Sequence, residues 1–343
     1  MYLPKRRSNR LSALLITLAL VGSSTACGSN NEQSLTIYSG RSEKLVGPIF
    51  ESFSTATGIT LNVKYGSSND LALALATEKD KTPADIFLSR SPGPTGYLDD
   101  LGLLAELNDD VLKEVDSGTK PANGHWVGFA GRARVLVYNI DEVVKEDLPN
   151  SVFELAKPKY KDLVAIPGSN SSFQDWFTVF RLRNGDNTAT DWLNSMVANG
   201  ARFYPKNRAI VEAVSRGEVH FGLVNHYYNH QESEKNGDAQ RSKNHTFTSG
   251  DDGGLMIMAT ASILKSSDDK DLANRFLSFL LSDIQQRYLT DTVFEYPLAI
   301  GVAPADRLPQ QPIDTVGAVD IDNMAAEFTR TMEIIEASGI LDQ

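Results

Sequence analysis

Two adjacent phenols, Tyr227 and Tyr228, are the most chemically pointed feature of this chain. They follow the apolar run Phe221-Gly-Leu-Val224 and are flanked by Asn225, His226, Asn229 and His230, a stretch too polar to continue a buried strand. A phenol ionises near pH 10, about three units above neutrality. Once deprotonated, its anionic oxygen suits a hard, highly charged cation. The cation must displace the proton, so its binding would weaken as pH falls. Both oxygens reach one ion only if the backbone leaves the extended form, because successive strand side chains point to opposite faces. A turn or helix start after Val224, encouraged by Asn225, would meet that need. Taken alone, such a pair is more often a half-buried aromatic contact, so the metal reading needs support from elsewhere in the chain.

Other reactive types are sparse. His226 and His230 have the i, i+4 spacing that holds zinc on a helix, but a zinc site needs a third and usually a fourth ligand. The single cysteine, Cys27, lies near the chain start, and the two imidazoles read as surface groups beside the tyrosines. Ser169-Asn-Ser-Ser172 precedes a helical apolar pattern and reads first as an N-cap. Ser171 and Ser172 lack the G-x-S-x-G elbow of a serine hydrolase, and no histidine is close in sequence. The chain is therefore not expected to be an enzyme.

These residues must be positioned by a fold, and the chain's ends and charge bound it. Lys5, Arg6, Arg7 and Arg10 precede an apolar run from Leu11 to Val21, then Ser24-Thr-Ala-Cys27. This is the layout of a secretory signal peptide, with an apolar part too short to be a comfortable membrane span. Cys27 cannot form an intramolecular disulfide and sits where a bacterial lipoprotein signal places the acylated residue. We expect a signal peptide over 1–26, lipid attachment at Cys27 and a polar tether over 27–34. Ordinary cleavage near Ala26 with an incidental cysteine is the plainer alternative. Firm anchoring needs more than one acyl chain. The remaining roughly 310 residues are enough for two domains. Removing the four leader cations takes the formal net charge from −11 to −15, which argues against nucleic acid and anionic lipid surfaces as partners.

Along the mature chain, strands and helices take turns. Leu35–Tyr38 reads as a strand, and Leu45, Val46, Ile49, Phe50 and Phe53 share a helix face that Gly58 stops. Ile59, Leu61, Val63 and Tyr65 alternate as a strand. A helix capped by Asn69 follows, then a strand over Ala84–Leu88. The rhythm resumes with a strand over Val135–Tyr138, a capping box at Ser151-x-x-Glu154, a strand over Val164–Ile166, and a helix carrying Phe173, Trp176, Phe177 and Phe180. Helices around Trp192–Val197 and Ile210–Val214 lead to a strand over Val219–Val224 that runs into the tyrosines. In open α/β sheets ligands gather beyond the carboxyl ends of strands, where the tyrosine pair sits. A strand over Leu255–Met258 and one long amphipathic helix over Asp271–Leu289 complete the pattern. Two α/β units exchanged through central crossing strands predict a bilobed binding protein, with 35–129 plus 257–305 as lobe 1, 130–256 plus 306–343 as lobe 2, and its ligand in the cleft.

Several stretches are recognisable in themselves. Leu35-Thr-Ile-Tyr-Ser-Gly-Arg41, Lys81-Thr-Pro-Ala-Asp-Ile-Phe87, Leu101-Gly-Leu-Leu104, Trp126-Val-Gly128, Gly131-Arg-Ala-Arg-Val-Leu-Val-Tyr-Asn139, Val219–Tyr228 and Glu295-Tyr-Pro-Leu298 follow one another over nearly the whole mature chain. In order and spacing this resembles the ferric-ion-binding substrate-binding proteins of bacterial ABC transporters. The resemblance implies a type II periplasmic-binding fold of two α/β lobes joined by hinge strands. It also implies an extracytoplasmic, monomeric receptor that delivers Fe(III) to a membrane permease and its ATPase. Tyr227 and Tyr228 become the metal ligands, and a synergistic carbonate or phosphate is implied opposite them. By position Asn170, Ser171 and Ser172 fall where the family holds that anion at a helix N-terminus, whose amides and dipole favour negative charge. Asn207 and Asn225 match two further amide donors.

The chain also departs from its relatives. Many members carry a histidine where this chain has Ser42, between Arg41 and Glu43, and several carry a carboxylate where this chain has Arg90. A further tyrosine found in some members near Ser171 or Ser172 is absent. Arginine cannot bind a cation. One resolution is that Arg41 or Arg90 grips the anion while the two tyrosines and the anion hold Fe(III), with Glu43 as a possible further oxygen donor. The alternative is an anionic small solute, such as a phosphorylated compound, or an iron chelate, with Arg41 and Arg90 contacting its negative groups.

Overall fold

The computed structural model describes residues 33–309 and 324–342. The expected signal peptide, Cys27 and most of the tether lie outside the described residues. The elements in chain order are β1 (Ser34–Ser39), α1 (Glu43–Thr57), β2 (Thr60–Tyr65), α2 (Ser68–Glu78), β3 (Ile86–Ser89), α3 (Pro92–Asp100), α4 (Asp109–Lys113), β4 (Trp126–Asn139), β5 (Val164–Ile166), α5 (Ser171–Asn184) and α6 (Asp186–Ala198). They continue as β6 (Arg202–Phe203), α7 (Asn207–Ser215), β7 (Phe221–Asn225), α8 (His226–Asn236), β8 (Ser242–His245), β9 (Met256–Ile263), α9 (Lys270–Leu281), α10 (Asp283–Tyr288), β10 (Tyr296–Pro297) and α11 (Met324–Ala337).

The strand order is β2-β1-β3-β9-β4-β7-β5-β6, with β8 and β10 pairing to β4 off this path. The βαβ units give parallel pairs at β1–β2, β1–β3, β5–β7 and β5–β6, as right-handed crossover connections require. The strand read from Val135–Tyr138 is only the last part of β4. Its residues from Trp126 to Ala133 pair antiparallel with β9, and those from Arg134 to Tyr138 pair with β7. One strand thus serves two sheets, and they change over between Ala133 and Arg134, whereas the sequence reading divides the lobes after residue 129.

Among the described residues, the two largest of four apolar clusters form on either side of this changeover. Leu35, Ile37, Ile49, Phe53, Ile86, Phe276 and Leu280 fill one. Phe173, Trp176, Phe177, Phe180, Trp192 and Leu223 fill the other, where ring pairs such as Trp176–Phe180 and Trp176–Trp192 pack with centroids 5.2 Å and 5.6 Å apart, a geometry that adds to area burial. α5 is buried from Ser172 to Arg181. Its sides are therefore committed to the core, and its N-terminus is the part left to face a ligand.

Three local expectations change. Ser67, not Asn69, caps α2, its Oγ accepting from the Asp70 amide at 3.1 Å. The Ser151 box caps a single 3₁₀ turn, with Glu154 accepting from the Asn150 amide at 3.0 Å. The long helix is two, because Ser282 adopts an extended ψ of 152° between α9 and α10. The break lets Gln286 turn inward, where its Nε2 donates to the Phe129 carbonyl and its Oε1 accepts the Leu298 and Ala299 amides. Phe129 lies at a bulge in β4 and Leu298 and Ala299 follow β10, places where backbone groups need partners outside the ladder.

Candidate functional site

The tyrosines sit at a strand-to-helix junction. β7 ends at Asn225 and α8 begins at His226, with Asn225 in extended conformation at the N-cap position. The bend brings both rings to one side, their centroids 4.3 Å apart. Tyr227 is 5 % exposed and Tyr228 is half-buried. Burial above all pushes the Tyr227 phenol well above its ordinary range; Tyr228 and Glu295 add to this, and Arg132 and Arg41 oppose it.

Around this pair the fold assembles charge. Arg41 is 2 % exposed, and its Nη2 donates to both oxygens of Glu295 at 2.7 Å. Burial works against this guanidinium's charge, but Glu295 and the tyrosines more than compensate and raise its pKa. Arg132 and Arg134, on the stretch of β4 where the sheets change over, are each 1 % exposed. Arg132 donates from Nη2 to the Arg90 carbonyl. Arg134 stands opposite Asn225 in the β4–β7 register. It donates from Nη1 to Asn207 Oδ1 at 3.2 Å and from Nη2 to the Ser172 carbonyl. Burial first, then Arg132, pull the Arg134 pKa down to about 9, so it stays charged at neutral pH. Asp175, one turn along α5 from Ser171, is buried, which raises its pKa against the opposing pull of Ser91 and the three arginines 132, 90 and 134.

The expected anion residues gather at the α5 N-terminus. Asn170 caps the helix, its Oδ1 accepting from the Ser172 amide at 3.1 Å and the Ser172 hydroxyl at 2.6 Å. Arg90 Nη1 donates to Ser171 Oγ at 2.9 Å, and its Nη2 donates to the Gly40 carbonyl at 3.3 Å. Asn207 Oδ1 also accepts the Asn225 amide at 3.0 Å, while its Nδ2, in a residue 1 % exposed, has no partner. The Nε atoms of Arg41, Arg132 and Arg134 are likewise buried without partners. These unpaired groups are all donors. Buried donors without partners are costly, and a bound anion would satisfy them.

Three expectations are corrected. Glu43 is exposed on the first turn of α1, where its charge acts on Tyr65; the carboxylate beside the tyrosines is Glu295. Arg41 is not wholly free for an anion, because its Nη2 serves both oxygens of Glu295 and leaves Nε without a partner. His226 is not a surface imidazole: it is 1 % exposed, its Nδ1 accepts the Ala133 amide at 3.2 Å, and burial drives its pKa to about 3. His230 is half-buried, and among the described residues no group of three or more His, Cys, Asp or Glu side chains is placed to hold a metal. Arg132, Arg134, Asp175 and Glu295 were not anticipated as site residues. Two arginines within an otherwise apolar strand, Gly131-Arg-Ala-Arg-Val, were the available signal, since unpaired charges are almost never buried without purpose.

With this geometry in place, comparison with known proteins is informative. Residues 81–326 match the family described as bacterial extracellular solute-binding protein. The chain belongs to that family. Its relatives include an Fe(3+)-binding periplasmic protein of Serratia marcescens, 28% identical over 312 residues that cover 90% of this chain and 91% of the relative. A major ferric iron-binding protein of Neisseria gonorrhoeae is 28% identical over 329 residues, 95% of this chain and 98% of the relative. Iron-bound HitA from Pseudomonas aeruginosa superposes with a TM-score of 0.81 at 28% identity, covering 90% of this chain and 99% of HitA. The fold of this solute-binding protein is thus the type II periplasmic-binding fold implied by its sequence.

Proposed function

We propose that this solute-binding protein captures Fe(III) together with a synergistic anion such as carbonate or phosphate, and delivers it to an ABC permease and its ATPase. The observation that carries the reading is the closely packed Tyr227–Tyr228 pair, turned to one side by the β7–α8 junction beside a cluster of buried cations. As phenolates the two oxygens are hard donors for a hard metal, and Arg41 and Arg132 lower the cost of forming the anion at Tyr227. Asn170, Ser171, Ser172, Asn207, Asn225 and Arg90 hold the anion at the α5 N-terminus, and Arg41 supports it indirectly by keeping Glu295 paired. The ferric relatives support this reading. In the cell, Cys27 carries the lipid that keeps the receptor at the outer face of the membrane, and the two lobes close on the cargo.

A tyrosinate–Fe(III) protein is coloured by charge transfer. Loading the purified protein with Fe(III) and phosphate should produce a visible band that Tyr227→Phe weakens, and a colourless protein that retains no iron would sink the reading. A second reading, an anionic solute without iron, is favoured by the excess of arginine over carboxylate around the tyrosines. It predicts a melting temperature raised by a phosphorylated solute alone and no colour with Fe(III).

A further inference from the structure

The charges around the tyrosines do not balance, and the imbalance specifies the cargo. Arg41, Arg90, Arg132 and Arg134 act on one another and on the tyrosine pair, and the carboxylates among them are Glu295 and Asp175. Arg41 and Glu295 neutralise each other as a buried pair. Among the described residues the half-buried Arg90 and the buried Arg132 and Arg134 then face Asp175, which leaves two positive charges. Arg208, stacked 5.8 Å from the Tyr228 ring, adds nothing because buried Glu232 pairs with it. Fe(III) with two phenolates adds one further positive charge. Uncompensated charge in a buried site is expensive, so the accompanying anion must supply it.

Arg90 decides the amount. It is the cation whose guanidinium reaches the anion position directly, through Ser171 Oγ, while its own carbonyl is held by Arg132 and its amide by Ser68 Oγ at 2.9 Å. The donors with no partner, Asn207 Nδ2 and Arg134 Nε, belong to the same network at that helix N-terminus, so the position is built for a ligand and not merely capped. We propose that Arg90 makes a multiply charged anion obligatory: the site retains Fe(III) only with a dianion or trianion bridging the metal to Arg90 and the α5 N-terminus, and rejects the metal with monovalent anions. This rests on the Fe(III) reading above. A carboxylate at position 90 changes the local charge by two and removes the requirement.

The test uses the whole mature protein, with ferrous chloride oxidised by CO2-free oxygen in the presence of one anion at a time: chloride, nitrate, phosphate or oxalate. The charge-transfer band and the iron retained after gel filtration are read for wild type, Arg90→Glu and Arg90→Gln, with circular dichroism checking the fold. Wild type should retain roughly tenfold or more iron with phosphate or oxalate than with chloride or nitrate. Arg90→Glu should colour in chloride alone, and Arg90→Gln should fall between; if Arg90→Glu does not fold, the Arg90→Gln comparison carries the same test. Wild type that colours equally in chloride, or a folded charge variant that keeps the full phosphate dependence, overturns this inference while leaving the iron reading intact. Absence of colour in every anion and every variant overturns both.

Discussion

If Tyr227 and Tyr228 both bind Fe(III) as phenolates, loading must expel two protons near neutral pH. A phenol ordinarily ionises near pH 10, and burial pushes Tyr227 higher still, so in the metal-free site the Tyr227 oxygen carries its proton. Each displaced proton makes apparent affinity change about tenfold per pH unit, and two make it about 100-fold, or ~2.7 kcal/mol per unit. The sign is fixed: lowering the pH returns protons that compete with the metal, so affinity falls. The assay is competition for Fe(III) with a chelator of known proton stoichiometry between pH 8 and pH 6. Oxalate serves as the anion because its own protonation lies below that window. A log–log slope near two is expected for wild type, and a slope near one for Tyr227→Phe or Tyr228→Phe. A wild-type slope near zero, or a slope unchanged in both variants, would refute the assignment of these phenols as ligands.

Three further outcomes follow from the packing. Glu295→Ala strands the Arg41 guanidinium at 2 % exposure and should cost about 3–5 kcal/mol in urea unfolding, whereas Glu295→Gln, which keeps an acceptor, should cost less. His226 has a folded pKa of about 3 against roughly 6.5 unfolded; the unfolded chain binds the proton first as pH drops, so its contribution to stability is lost from about pH 6.5 downward. His226→Asn, which can still accept the Ala133 amide, should therefore lose about 2 kcal/mol less than wild type between pH 7 and pH 5. Gly222 lies on β7 where a Cβ would meet Ile210 Cγ2 at 2.1 Å, so Gly222→Ala should destabilise by roughly 1–3 kcal/mol, read as a shift in the urea midpoint.

Much of the fold was legible before any coordinates. Apolar periodicity located α1, α5 and α7 and the strands that flank them, because burying one face of a helix or strand leaves a pattern in the sequence. Gly58 marked the end of α1 for a local reason, its left-handed φ of 74°. Position after β7 and the neighbouring residue pattern singled out Tyr227 and Tyr228, and the helix start that turns them together was foreseen from the polarity of Asn225. The broken helix was not, since the partners that Gln286 finds in β4 and in the segment after β10 are set by tertiary contact.

What the sequence by itself determined is therefore local and periodic: the order of elements and the chemical type of the tyrosine pair. The tertiary structure decided which charges meet. Arg41 and Glu295 are 254 residues apart in sequence, and only the fold reveals that they form one buried ion pair, which makes Glu295, and not Glu43, the carboxylate beside the tyrosines. Arg90 and Ser171 are 81 residues apart, yet they share a hydrogen bond at the α5 N-terminus. Hydrophobic patterning is written residue by residue, but electrostatic pairing depends on distance in space and on the loss of water around each charge. Neither exists until the chain has folded.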